Sequence, residues 1–101
     1  MKLSPSKEIY NKNAHIFKIL AHAKRLEILN LLIIKELKVE EIRKATKIPK
    51  ANLSQHLALL RHNGLLKARR EGLNIFYKIG DRGIIELYRV LNKLRDRHII
   101  V

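Results

Sequence analysis

The chain has 101 residues, a single domain's length, and 47% of them are hydrophobic, too many for a disordered chain. Lys and Arg number 22 against 9 Asp and Glu, and the resulting formal charge of +13 points to a polyanion: nucleic acid first, an anionic membrane surface second. With no cysteine, the chain has no disulfide framework, thiolate metal site or cysteine nucleophile, a usage that fits a reducing cytoplasm.

A domain this small buries roughly 60–65% of the surface its unfolded chain exposes, so one core must use most of the apolar residues. The apolar run Leu31-Leu32-Ile33-Ile34 is four residues long, far short of the roughly 20 that cross a bilayer. Met1-Lys2-Leu3-Ser4-Pro5 has no apolar signal core. The expectation is a cytoplasmic protein without a membrane partner.

The prolines and glycines are few, two and four, which favours helix. Ser4-Pro5 reads as an N-cap and first helical position. From there to Leu20, Ile9, Ile16, Phe17 and Leu20 recur at helical spacing. A second helix runs from Lys24 to Ile34, with Leu26, Leu29 and Ile33 on one face and Ile28 and Leu32 beside it, a stripe wide enough for burial on more than one side. Val39 to Thr46 is a short third helix whose Glu40-Glu41 suits the positive end of its dipole, with Ile42 and Ala45 facing inward. Lys47-Ile48-Pro49 breaks it. Lys50 to Asn63 is a fourth helix, stopped by Gly64, with Leu53, Leu57 and Leu60 as its inner stripe. Leu66–Arg70 and Ile75–Ile79 then read as two strands around Glu71-Gly72-Leu73-Asn74, and Asp81–His98 as a last helix. No internal repeat or linker is visible, so residues 1–101 are expected to form one domain.

A short helix, a three-residue turn and a second helix predict a helix-turn-helix, and the hairpin adds a wing. The fold class is therefore mostly α with a small β-hairpin, a winged helix-turn-helix. In this arrangement the second helix of the motif presents N-terminal side chains to base edges in the major groove. Gln55 and Asn52 suit adenine, Lys50 suits guanine or phosphate, and Ser54 suits either; His56 and Arg61 complete the candidate face. On this segment alone, ordinary solvated positions of an amphipathic helix explain the same residues equally well. The basic wing tips the balance: Lys67, Arg69, Arg70, Asn74 and Lys78 are candidates for phosphate or minor-groove contact, supplying affinity more than sequence choice.

Three stretches resemble one family. Phe17-Lys18-Ile19-Leu20-Ala21-His22-Ala23-Lys24-Arg25-Leu26-Glu27-Ile28-Leu29 is similar to the opening of the ArsR/SmtB winged-helix repressors. Leu53-Ser54-Gln55-His56-Leu57-Ala58-Leu59-Leu60-Arg61-His62-Asn63-Gly64-Leu65 resembles that family's recognition-helix motif, and Arg69-Arg70-Glu71-Gly72 with Phe76-Tyr77 its wing. The resemblance spans roughly residues 14 to 95 and implies a homodimeric repressor of double-stranded DNA, bound to a pseudo-palindromic operator and released by an inducer whose identity the sequence does not name.

The departures concern sensing. Where the family's metal sensors carry two cysteines before the turn, Glu36-Leu37-Lys38-Val39-Glu40-Glu41-Ile42 has Lys38 and Glu40. The family's second metal site, on the last helix, also lacks its ligands: Asp81 is followed by Arg82 and Gly83, with no histidine pair beyond. Pro49 replaces the usual oxygen-bearing cap of the recognition helix, and Lys47 stands at the common turn glycine, which together predict an altered turn. No metal and no cofactor is expected. Regulation would then act through protein concentration, salt, or an organic ligand or partner at the dimer interface.

Among the five histidines, His56 belongs to the recognition motif as a phosphate or inter-helix partner, and His22 suits packing or capping. A His15–His98 metal pair across a dimer is the weaker alternative, since such sites usually need three or four ligands. On the last helix Ile84, Leu87, Leu91 and Leu94 form a heptad-like seam, expected to dimerise with Ile9 and Ile16 of the first helix, and with Tyr10 beside them, while Tyr88 and Ile85 pack on the domain itself. Residues about 5–20 and 81–98 would thus form the interface. The rival reading is a winged-helix module that binds DNA without an operator, or a protein-interaction module; +13 supports general attraction. A nucleic-acid enzyme is disfavoured, because no carboxylate cluster or nucleophile–base pair is visible.

Overall fold

The computed structural model describes residues 7–98. The Ser4-Pro5 helix start lies outside them. The order is α1 (Lys7–Leu20), α2 (Ala23–Ile34), β1 (Leu37–Lys38), α3 (Val39–Thr46), α4 (Lys50–His62), β2 (Leu66–Glu71), β3 (Asn74–Ile79) and α5 (Gly83–His98). This is a winged helix-turn-helix with one strand more than expected. β1 is two residues long, too short to show a period, and exists because it pairs antiparallel with β3, Leu37 opposite Tyr77 and Lys38 opposite Phe76. The sheet order is β1-β3-β2. The hairpin turn is also tighter than the four residues expected. Only Gly72-Leu73 lie outside the strands, and Gly72 takes the left-handed φ of +62° that favours glycine.

The core joins Ile28, Leu29 and Leu32 of α2, Ile42 of α3, Ile48 of the turn, Leu53, Leu57 and Leu60 of α4, Leu66 of β2, and Ile84 and Tyr88 of α5. The wide stripe on α2 is as expected. Ala45, expected inward, is exposed; Ile42 is the buried residue of α3, and Ile48 within the turn is buried as well. Ile84, expected in a dimer seam, is buried in its own domain one turn before Tyr88, so this end of α5 faces inward. The Tyr88 hydroxyl donates to the Leu26 carbonyl at 2.5 Å, and burial pushes its pKa up to about 12. α5 itself starts two residues later than expected, because Asp81 caps it: its carboxylate accepts the Gly83 N–H at 2.8 Å.

α1 is packed differently from the rest. Its buried residues are Ile19 and Leu20, at the C-terminal end, whereas Ile9, Tyr10, Ile16 and Phe17 are 40–64% exposed. The radius of gyration, 15.2 Å, exceeds the roughly 13 Å of a compact chain this long, as a helix projecting from the domain would produce. Among the described residues no helix is long and apolar enough to cross a membrane.

The turn before α4 is held by Thr46, whose hydroxyl donates to the Ile42 carbonyl at 2.8 Å and accepts the Ile48 N–H at 3.3 Å. Lys47 sits at φ +60°, a left-handed conformation that costs a residue with a Cβ roughly 1–2 kcal/mol. Glycine would remove that strain, offset by roughly 0.5–1 kcal/mol of unfolded-state entropy. Lys47→Gly is therefore expected to stabilise the domain by about 0.5–1 kcal/mol, raising the melting midpoint by roughly 2–8 °C. Thermal unfolding followed by circular dichroism checks this, and a lowered midpoint would show that the turn is unstrained.

Candidate nucleic-acid interface

The inner stripe of α4 decides what its other faces carry. With 3.6 residues per turn and Leu53, Leu57 and Leu60 inward, Gln55 lies nearly opposite the stripe, beside Ala51, Ala58 and His62. Lys50, Ser54 and Arg61 fall along one flank, Asn52 and His56 along the other. Gln55, Asn52, Ser54, Lys50 and Arg61 are all exposed, but His56 is half-buried.

His56 turns towards α2. Its Nδ1 accepts the Arg25 Nε–H at 3.2 Å, and the His22 ring stands edge-on at 4.7 Å. Burial is the main cause of a pKa below the ordinary 6.5, with His22, Arg25 and Lys24 adding to it. Of the two roles expected of His56, the structure shows the inter-helix one. His22 caps α2, its Nδ1 accepting the Lys24 N–H at 3.3 Å. Arg25 was hidden inside the α1–α2 motif, since nothing in a sequence period marks a cation that bridges three helices.

The wing cations divide between two faces. Strand register puts Lys67, Arg69 and Glu71 on one face with Lys78, Phe76 and Asn74, and Ala68 and Arg70 on the other with Tyr77 and Ile75. Arg70 and Arg61 of α4 line one hollow of about 260 Å³, together with Ala68, Arg69, Ile75 and Tyr77. Lys67 and Lys78 stand directly opposite each other on the far face, a like-charge pair that an anion would relieve. At the wing tip, Asn74 shares a hollow of about 420 Å³ with Lys50 and Lys38.

Arg69 differs from its neighbour. Its Nε donates to Glu36 at 2.6 Å, its Nη1 donates to Glu71, and its guanidinium lies 4.4 Å from the Phe76 ring centroid. Two carboxylates thus engage a residue expected to meet phosphate. The guanidinium instead ties the wing to the segment before β1. Glu36 lies far from the wing in sequence, so no local pattern signalled the pair.

The carboxylates of the Glu36–Ile42 stretch are all engaged. Glu36 holds Arg69; Glu40 accepts from Arg43, whose hydrogen bond and charge hold its carboxyl below the usual range; Glu41 accepts the Lys38 N–H at 2.9 Å. Leu37 and Lys38 are strand, not helix. Among the described residues no three His, Asp or Glu side chains converge to hold a metal ion.

A helix-turn-helix with a basic wing and a polar outward helix face defines a DNA-binding protein of the winged-helix class. Residues 22–68 match the family model described as bacterial regulatory protein, arsR family. The uncharacterised helix-turn-helix-type transcriptional regulator Rv0081 of Mycobacterium tuberculosis is 38% identical, over 91% of this chain and 82% of its own. The transcriptional activator HlyU of Vibrio cholerae is 32% identical (93% and 87% covered), and the transcriptional repressor PagR of Bacillus anthracis 36% (82% and 84%). Among solved structures, the homodimeric winged helix-turn-helix DNA-binding domain Mb0332 of Mycobacterium bovis aligns with a TM-score of 0.82 at 31% identity, covering 99% of this chain and 93% of that one. The chain belongs to the ArsR/SmtB family of winged helix-turn-helix transcriptional regulators. That family and these neighbours are DNA-binding regulators, not enzymes.

The two adjacent wing arginines should separate in solution. Arg69→Ala and Glu36→Ala are expected to speed amide hydrogen exchange across residues 71–74 several-fold, because both cut the tie between wing and β1. Arg70→Ala should leave those rates unchanged. Equal rates in all three variants would dissolve the clamp.

Proposed function

We propose that the protein is a sequence-selective double-stranded-DNA regulator that works as a homodimeric repressor on a pseudo-palindromic operator in the cytoplasm. The carrying observation is the outward face of α4, with Gln55 at its apex and Arg61 and Arg70 grouped beside it. Gln55 and Asn52 read base edges, Ser54 and Lys50 support them, and Arg61, Arg70, Asn74, Lys67 and Lys78 meet phosphates. Arg69 and His56 act from behind, by holding the wing and α4.

Several features support a dimer. Ile9, Ile16 and Leu94 are 40%, 49% and 43% exposed, as are Tyr10, Phe17 and Val90 at higher values. Leu87 and Leu91 are half-buried beside Phe17 and Leu20 in a hollow of about 210 Å³ lined almost wholly by apolar atoms. A second copy covering this α1–α5 surface would sequester it, and the M. bovis neighbour is described as homodimeric. Ile84 supports α5 from within and takes no part. Repression follows when an operator overlaps a promoter, and one relative is named a repressor and another an activator. No metal is invoked: Glu36, Glu40 and Glu41 are held by Arg69, Arg43 and a backbone N–H, and among the described residues no three possible ligands converge. The second reading, a module that binds DNA without an operator, draws on the +13 charge and the opposed Lys67 and Lys78.

Substitution distinguishes the readings. Gln55→Ala is expected to cost roughly 1–3 kcal/mol on the preferred duplex and to relax the choice at one base pair. Arg70→Ala should weaken all duplexes alike and flatten the salt dependence by about one unit of slope. Equal weakening of preferred and random duplexes by Gln55→Ala would favour the module.

Ile16→Asp and Leu94→Asp should give folded monomers, because each puts a charge into the proposed apolar contact while leaving the protomer's core intact. Sedimentation of both variants as dimers would place the interface elsewhere.

A further inference from the structure

Three helices meet at one guanidinium. Arg25, in the first turn of α2, donates from Nη1 to the Ile19 carbonyl in the last turn of α1 at 2.9 Å, and from Nε to His56 Nδ1 on α4 at 3.2 Å. The Ile19 carbonyl lies among the four that a helix end leaves without partners. The His22 ring packs edge-on against the His56 ring, with 68° between planes, while its Nδ1 caps α2. We infer that Arg25 is a positioning residue for DNA reading: through the neutral imidazole of His56 it locks α4 to the α1–α2 corner. This rests on the DNA-reading role of α4 proposed above.

The chemistry of the link is one-sided. Arginine only donates, so His56 Nδ1 must carry a lone pair and its proton must reside on Nε2. The ionisable groups that act on His56 are His22, Lys24 and Arg25, all at the head of α2, and none is a carboxylate that would favour a charged ring. A proton on Nδ1 replaces the acceptor with a second donor facing a cation. The sign follows. A histidine whose folded pKa is lowered contributes stability above its ordinary value near 6.5 and loses it as pH falls through the lowered value. The link is therefore intact at neutral pH and opens in acid.

Its position gives the link a consequence for the whole dimer. α1 carries Ile9, Ile16 and Phe17 of the proposed interface, and α4 carries Gln55. Two recognition helices read successive major grooves only when their separation matches about 34–36 Å. Arg25 joins the helix that would set the separation to the helix that reads.

The test compares wild type, Arg25→Ala, His56→Ala and His56→Asn, whose Oδ1 can accept near the position of Nδ1 but does not titrate. Residual dipolar couplings report the angle between α1 and α4 without DNA. The angle is expected to change in both alanine variants at pH 7.5 and in wild type once acid has protonated His56, as its own ring carbon shifts report in the same samples, and to persist in His56→Asn throughout. Affinity for the preferred duplex should fall about tenfold or more in the alanine variants, be retained by His56→Asn, and lose its acid sensitivity there. An unchanged angle in a folded His56→Ala protein would overturn the inference, as would a His56-dependent rise in affinity on acidification, the mark of a phosphate contact. If either alanine variant fails to fold, wild type against His56→Asn across the same pH range decides alone. A changed angle with no duplex preference in wild type would sink the DNA-reading proposal and leave the link standing.

Discussion

The burial of Leu53, Leu57 and Leu60 along one side of α4 is the constraint on which the structure depends. All three are essentially inaccessible, and each such side chain contributes roughly 1.5–3 kcal/mol when removed from water. Turning α4 by one residue, about 100°, would put Asn52 or Ser54 into a core whose described residues include no polar side chain beyond the hydrogen-bonded Tyr88, and expose leucine instead. The helix therefore has one rotational setting. That setting places Gln55 outermost, Lys50 and Arg61 towards the wing, and His56 towards α2. The proposed reading face is the complement of a hydrophobic stripe.

Charge is distributed by the same logic. The chain is strongly basic, yet its cations are not equivalent. Arg69 and Arg70 are adjacent, and strand alternation sends them to opposite faces of the hairpin. Arg69 meets Glu36, Glu71 and Phe76; Arg70 meets the hollow beside Arg61. A surface ion pair is ordinarily worth little, but Arg69 is held by two carboxylates and a ring together, which restricts the wing's direction as well as its energy. Arg25 is a third kind, a cation turned inward to satisfy a carbonyl and a histidine.

The sequence period carried most of the fold. Four-residue and three-residue spacings located α2, α3, α4 and the last helix within one or two residues, and alternation located the hairpin. β1 escaped because two residues make no period; it is defined by its partner Tyr77-Phe76. Ile84 was assigned to the wrong contact because a heptad spacing on α5 cannot tell a seam towards a second copy from a stripe towards its own core. In the candidate site, the exposed polar residues of α4 followed from its inner stripe. The ties made by Arg25 and Glu36 did not, since each depends on residues brought together only by the finished fold.

What unites these features is a claim about geometry: a paired set of α4 helices, each presenting Gln55 and Asn52, reads a two-fold DNA sequence. The most direct measurement is selection of bound duplexes from a random pool at near-physiological salt, where general attraction by Lys and Arg is weakened. The account predicts enrichment of an inverted repeat whose half-site centres lie one helical turn, about 34–36 Å, apart, bound at least a thousandfold more tightly than random DNA. A pool that emerges without sequence enrichment, bound with the same affinity and salt dependence as the starting duplexes, would contradict it.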